Sequence, residues 1–216
     1  MNKNIVLVGA GGHCKVIIDI IVSQGEYKII GITDPFASER MLLGFPIIGN
    51  DEVLKNLFDK GVVNAFLCIG ALNQPKQRTE IYNRLKKIGF SLPNLIHKNA
   101  YVSGFSTLGE GNCIMAKAVI NAGVMIGDNC IINTSSVIEH DCVLQDNIHI
   151  SPNASIAGRV SIGKNSHIGI GSTIIQNINI GSNVTIGAGA VVINDMEDNV
   201  LAVGVPAKIV KRNKRS

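Results

Sequence analysis

From Ile96 to Val192 every sixth residue is Ile, Leu or Val, without exception over seventeen positions. A period of six matches neither the 3.6 residues of a helical turn nor a heptad, and simple strand alternation does not single out every third inward site. A solenoid of hexapeptides does. Three such segments close one triangular coil of eighteen residues, and each contributes a short parallel strand whose aliphatic knob points into the prism. Small or turn-forming residues follow the knobs, as in Ile126-Gly127-Asp128-Asn129, Ile162-Gly163-Lys164-Asn165 and Ile180-Gly181-Ser182-Asn183. They allow the backbone to bend at the corners. Successive coils stack about 4.8 Å apart, so residues eighteen apart lie one above the other. The phase ends where Asp198 takes the knob position.

At 216 residues the chain has room for one large or two small domains. The Ile-rich solenoid explains its apolar balance without a membrane, since no apolar run approaches the roughly 20 residues that span a bilayer. The first apolar stretch, Ile5 to Val8, is stopped by Gly9 and is too short for a signal peptide, so a cytoplasmic protein is expected. Five cysteines, Cys14, Cys68, Cys113, Cys130 and Cys142, show no C-x-x-C pair and read as small buried residues. The net charge of +4 is local, because Lys208, Lys211, Arg212, Lys214 and Arg215 crowd the carboxyl end. With no Trp and three Tyr there is little to stack on bases, and a nucleic-acid surface is not expected.

Residues 1–92 read as a separate domain, followed by the solenoid over 93–216, with Leu92 to Ala100 as the joint. Asn4 to Val8 forms a strand that runs into Gly9-Ala10-Gly11-Gly12-His13, and a helix follows with Val16, Ile17, Ile20 and Ile21 on its buried side. Further strands are expected at Lys28 to Thr33 and Val62 to Ile69, with a short helix over 50–59 between them. A last helix begins at Pro75 and stops at Gly89. The pattern β-α-β-α-β-α predicts a small Rossmann-like parallel sheet. Ligands of such sheets bind beyond the carboxyl ends of the strands, which groups Gly9 to His13, Asp34 and Gly70. An acidic residue some twenty positions after the glycines suits a ribose or base. The third glycine of a dinucleotide fingerprint falls at Cys14, so the signal favours a nucleotide-linked ligand over NAD.

In the solenoid the polar departures stand out. Ile138-Glu139-His140-Asp141-Cys142 sets an imidazole between two carboxylates, either of which can fix the ring tautomer and raise its basicity. Eighteen residues beyond His140 stands Gly158, which predicts open space beside the imidazole and an approachable backbone N–H for an oxyanion. His149 and His167 are also eighteen apart and should stack. His140 and His149 are half a coil apart and lie on different sides of one prism, so they share a site only if another subunit supplies one of them. A homotrimer with sites between subunits meets that condition.

These residues resemble the hexapeptide-repeat acyltransferases of bacterial sugar pathways, in particular the bacillosamine-type sugar-nucleotide N-acetyltransferases and their sialic acid O-acetyltransferase relatives. The resemblance rests on Gly9-Ala10-Gly11-Gly12-His13, Asn94-Leu95-Ile96-His97-Lys98, Asn133-Thr134-Ser135-Ser136-Val137-Ile138-Glu139-His140-Asp141-Cys142 and Val203-Gly204-Val205-Pro206-Ala207-Lys208. It implies an α/β amino-terminal domain joined to a left-handed parallel β-helix, and a homotrimer with acetyl-CoA between the β-helices. A UDP-linked 4-amino sugar would be held by the small domain, and no metal is expected. By this resemblance His140 is the general base and Asp141 the acid that orients it. His149, Gly158, Ile170 and Ala188 match positions that contact acetyl-CoA, and Gly11, Gly12, His13, Asp34 and Gly70 those that hold the sugar nucleotide. Asp141 stands where Glu can occur, and Pro35 follows Asp34 where a second acidic residue can occur, which leaves the nucleotide base open.

The leading expectation is direct N-acetyl transfer in a ternary complex without an acyl-enzyme. The alternatives are O-acetylation of a sialic acid, a zinc hydratase using histidines from two subunits, and a non-catalytic sugar-nucleotide-binding module. Cys142 beside the His-Asp pair would mark a covalent route only if it were reactive; packing is the plainer reading.

Overall fold

The computed structural model describes residues 3–70 and 75–212. The chain divides into two compact units, Met1–Lys98 and Asn99–Ser216.

In the first unit β1 (Lys3–Val8) leads into α1 (Gly12–Gln24) and β2 (Tyr27–Thr33). Then come β3 (Met41–Leu42), β4 (Phe45–Gly49), α2 (Val53–Asp59), β5 (Asn64–Leu67) and α3 (Pro75–Ile88). The sheet order is β3-β4-β2-β1-β5, parallel except for the β3/β4 hairpin. Ile5, Val6, Leu7 and Val8 are all buried, as expected of a strand covered on both faces. Val6 and Val8 join Leu54 of α2 and Leu85 of α3 in one apolar cluster.

Three details depart from the sequence reading. Val16 is 39% exposed, and the buried arc of α1 is instead Cys14, Ile17, Ile18, Ile20 and Ile21. At 100° per residue Val16 lies outside an arc centred on Ile17 and Ile21. The strand expected over 62–69 is trimmed to Asn64–Leu67. The β3/β4 hairpin was not foreseen, because its two-residue turn places Leu43 at φ 49 beside Gly44 at φ 84, and leucine carries no turn signal. Leu95–Ile96 forms a short strand inside the stretch read as the joint, and its Ile96 carbonyl accepts a hydrogen bond from the Gln24 amide.

The second unit is the solenoid. Two-residue strands recur every six residues and stack in parallel with an eighteen-residue register, for example Val119↔Val137↔Ser155, Met125↔Val143↔Ser161 and Ile131↔His149↔His167. They build three sheets. The first runs from Tyr101–Val102 to Val191–Val192 and the second from Thr107–Leu108 to Asn179–Ile180. The third carries Cys113–Ile114 through Thr185–Ile186 and ends in Val200–Val203 with the antiparallel Lys208–Arg212. No insertion breaks the six-residue phase. The knobs from Ile114 to Val192 are fully or almost fully buried, whereas Val102 and Leu108 in the first coil are only partly covered.

The corners show a second periodicity, three residues after each knob. From Gly111 to Gly189 every sixth residue has positive φ, and most are Asn or Gly, which tolerate the left-handed region. Asn129 donates to Asn147, Asn165 to Asn183 and Asn183 to Asn199, so one corner is an amide ladder. Asp128, Asp146 and Asp198 accept turn N–H groups of the preceding coil at 2.8–2.9 Å. The final coil is shorter, with Met196 bridging Ile180 and Leu201 pairing Thr185 at a spacing of sixteen. That shortening is why Asp198 stands at the expected knob position.

All five cysteines are free and buried. At the basic carboxyl end Lys208–Arg212 is an edge strand, and Arg212 pairs with Glu197. Lys214 and Arg215 lie outside the described residues. Among the described residues no helix is long and apolar enough to cross a membrane.

Because each knob from Ile114 to Val192 is buried in a stacked column, shaving one opens a cavity that its neighbours cannot close. Ile150→Ala, at a side chain with no exposure, is expected to lower stability by about 2–5 kcal/mol, measured by denaturant unfolding.

Candidate active site

Two sets of polar residues carry chemistry, one in each unit. In the first unit a cleft of about 510 Å³ opens beyond the carboxyl ends of β1, β2 and β5. It is lined by Gly9, Gly11, Gly12, His13, Asp34 and Gly70, so the residues grouped from the sequence do meet. Gly9 has φ +100, and a Cβ there would come within 2.8 Å of Ile69, so only glycine fits the turn. Asp34 organises the rim: Oδ2 accepts the Ala10 N–H at 2.7 Å and Oδ1 the Phe36 N–H at 2.8 Å. One carboxylate thus fixes the glycine loop to the loop after β2.

His13, in the first turn of α1, has a buried Nε2 without a hydrogen-bond partner among the described residues. Burial, with the neighbouring Arg78 guanidinium, pulls its pKa down to about 4, so the ring is neutral near pH 7. Arg78 is itself buried and donates to the Ile69 and Leu67 carbonyls at the end of β5. The sequence reading missed Phe36, Asp51, Gln77 and Ile81 in the cleft wall. Asp51 accepts a hydrogen bond from Thr33 Oγ1 at 2.7 Å. It follows the unforeseen β4, which is why nothing marked it.

In the second unit His140 and Asp141 occupy the corner between the first-sheet strand Val137–Ile138 and the second-sheet strand Val143–Leu144. Asp141 is one of the positive-φ corner residues, at 60°. His140 Nδ1 lies 2.9 Å from Asp141 Oδ2, which fixes which carboxylate meets the ring. The arrangement puts the proton on Nδ1 and leaves Nε2 as the basic end. Arg159 approaches the same carboxylate oxygen to 3.8 Å.

The space beside the imidazole is not open, contrary to expectation. A Cβ on Gly158 would sit 2.6 Å from His140 Nε2 and 2.7 Å from Cε1, so the ring itself lies over the glycine. The physical reason is reach: from one rung an imidazole extends to the next and fills whatever the missing side chain leaves. A second glycine serves the partner residue, since a Cβ on Gly123 would meet Asp141 Oδ1 at 2.5 Å. Counting eighteen back from Asp141 would have found it.

His149 and His167 pair across the third sheet with ring centroids 5.1 Å apart and a 39° tilt. His149 is buried, with Nε2 3.3 Å from Asn133 Nδ2. His167 is half-buried, its Nε2 2.7 Å from Ser151 Oγ, and burial lowers its pKa. Ile170 and Ala188 are exposed and stack at the corner between the third and first sheets, where Gly189 N–H donates to the Ile170 carbonyl. Within one chain, then, His140 and Gly158 are together, Ile170 and Ala188 are together at another corner, and His149 lies on a third face. Cys142 is buried; burial pushes its thiol pKa up, and Sγ lies 3.2 Å from the Ala157 carbonyl. That environment disfavours a thiolate nucleophile. Among the described residues no group of three or more His, Cys, Asp or Glu is placed to hold a metal ion.

Comparison with known proteins adds the family. Residues 4–85 match the PglD N-terminal domain, and residues 105–140 match the bacterial transferase hexapeptide (six repeats). No curated protein sequence matches. Among solved structures, perosamine N-acetyltransferase (PerB) from Caulobacter crescentus in complex with CoA and GDP-perosamine is 40% identical. It superposes with a TM-score of 0.90 over 96% of this chain and 97% of that one. The acetyltransferase domain of PglB from Neisseria gonorrhoeae FA1090 in complex with acetyl coenzyme A is 36% identical, with a TM-score of 0.90 over 97% and 100% of the two chains. WeeI from Acinetobacter baumannii AYE, at 24% identity and a TM-score of 0.84 over 95% and 99%, shares the fold. The chain belongs to the hexapeptide-repeat sugar N-acetyltransferases, acyltransferases that join a PglD-type α/β domain to a left-handed parallel β-helix.

Proposed function

We propose that this protein transfers the acetyl group of acetyl-CoA to the amine of a nucleotide-activated 4-amino sugar. The observation that carries the reading is the exposed His140–Asp141 pair, with Nδ1 held by the carboxylate at 2.9 Å and Nε2 left as the proton acceptor. The sugar amine attacks the thioester carbonyl, and a C–N bond forms to give a tetrahedral intermediate whose collapse breaks the C–S bond. His140 Nε2 takes the proton the amine loses, and the imidazolium then returns it to the departing thiolate to give coenzyme A. Asp141 stabilises the imidazolium that forms. The Gly158 N–H, which has no acceptor among the described residues, is the candidate donor to the tetrahedral oxyanion.

His149, Ile170 and Ala188 are the candidate acetyl-CoA contacts. Their distribution over different sides of one prism is accounted for by a homotrimer in which each site draws on two β-helices. In the small domain, Gly11, Gly12, His13, Asp34 and Gly70 are the candidate contacts to the sugar nucleotide. The N–H groups at the start of α1, which no side chain caps among the described residues, suit its phosphates, and neutral His13 brings a hydrogen-bonding nitrogen without adding charge.

The Caulobacter relative was solved with GDP-perosamine, and the resemblance implies a UDP sugar, so the base is the finer question. Incubating the protein with acetyl-CoA and a panel of UDP-, dTDP-, GDP- and CMP-linked amino sugars is expected to release coenzyme A with at least one of them. The product should be heavier by one acetyl group on nitrogen. Release with free sialic acids alone would replace the amine acceptor by a hydroxyl, and no release with any acceptor would overturn an enzymatic role.

A further inference from the structure

Phe36 is 85% exposed, although it stands at the mouth of the cleft rather than on an outer face. Its backbone is not loose. The Asp34 carboxylate holds the Phe36 N–H and the Ala10 N–H at once, which sets the base of this side chain against the glycine loop. Pro35 between them restricts the loop further.

Phe36 borders two depressions, the main cleft and a neighbouring one of about 340 Å³ that Lys15, Gly11 and Gly12 help to line. A ligand seated here meets backbone N–H groups and a cation suited to phosphate, and a flat apolar face a few residues along the rim. A nucleoside diphosphate presents both chemistries in one molecule.

We infer that Phe36 is the platform on which the nucleobase stacks, an inference that rests on the cleft being the sugar-nucleotide site. Stacking uses the π-face that every base has. Affinity from Phe36 is therefore shared by pyrimidine and purine nucleotides, and discrimination between them must come from other groups on the rim.

The chain contains no tryptophan, so Phe36→Trp introduces a single selectively excitable reporter. UDP and GDP are expected to quench its emission, whereas inorganic pyrophosphate leaves it unchanged. By calorimetry, Phe36→Ala should weaken UDP and GDP binding about tenfold or more and leave pyrophosphate binding alone. As an exposed substitution it should keep the fold, which circular dichroism checks. If the wild type binds a nucleoside diphosphate while Phe36→Trp emission does not respond and Phe36→Ala binds within twofold of wild type, the stacking role is wrong. If the wild type binds neither nucleotide, the reading of the cleft fails with it.

Discussion

Replacing His140 by asparagine is expected to reduce kcat by about 10² to 10⁴-fold, the range for loss of a positioned general base. The substitution removes the only ring nitrogen that faces away from Asp141, while the neighbouring backbone keeps its bonds: the His140 carbonyl still accepts the Arg159 N–H and the Asp141 N–H still donates to Ala122. The side chain is 56% exposed, so unfolding should shift little. Initial rates of coenzyme A release, measured with saturating acetyl-CoA and whichever nucleotide-linked amino sugar proves active, test this alongside a thermal melt. A variant that melts like the wild type yet turns over within threefold of it removes His140 from the mechanism.

Gly158→Ala is expected to be nearly as damaging, on the order of 10²-fold, without touching any ionisable group. The backbone at Gly158 is not in the left-handed region, so alanine is conformationally acceptable there. What the methyl cannot do is share space with the imidazole, because contacts of 2.6 and 2.7 Å to Nε2 and Cε1 lie far inside van der Waals separation. His140 must swing off the glycine, and Nε2 moves by an ångström or more from the place where a proton is to be received. The comparison with Gly123→Ala is instructive, since that change would crowd Asp141 but also strain a φ of +75, mixing geometry with stability. Gly158→Ala separates them: stability within about 1 kcal/mol of wild type and a large fall in kcat support the geometric role, and an unimpaired rate refutes it.

The corner Asp141-Arg159 shows how far register alone carries an argument. Eighteen-residue stacking placed His140 against Gly158 and His149 against His167, because in a solenoid of fixed period the third dimension is arithmetic. The same arithmetic would have found Gly123 under Asp141. It did not say that the ring lies down over Gly158 instead of leaving a notch, since side-chain direction depends on which rotamer the neighbouring rungs leave free. In the amino-terminal unit the strand–glycine loop–helix start was visible, as was the grouping of Asp34 and Gly70 with it. The hairpin at Leu43 was not, and Asp51 and Phe36 were missed as cleft residues.

By itself the sequence determined the architecture and the inventory: a spacing of six calls for a triangular solenoid, and the glycine loop after a buried strand marks where a ligand can approach. The tertiary structure decided direction and environment. It chose Asp141 over Glu139 as the partner of His140, laid the imidazole over a bare backbone, and buried His13, with Arg78 beside it across sixty-five positions of chain, so that the ring stays neutral. Periodic backbone hydrogen bonding is local and repeats, so a sequence can announce it. Side-chain orientation and desolvation depend on every group packed nearby, and those neighbours are known only once the chain has closed on itself.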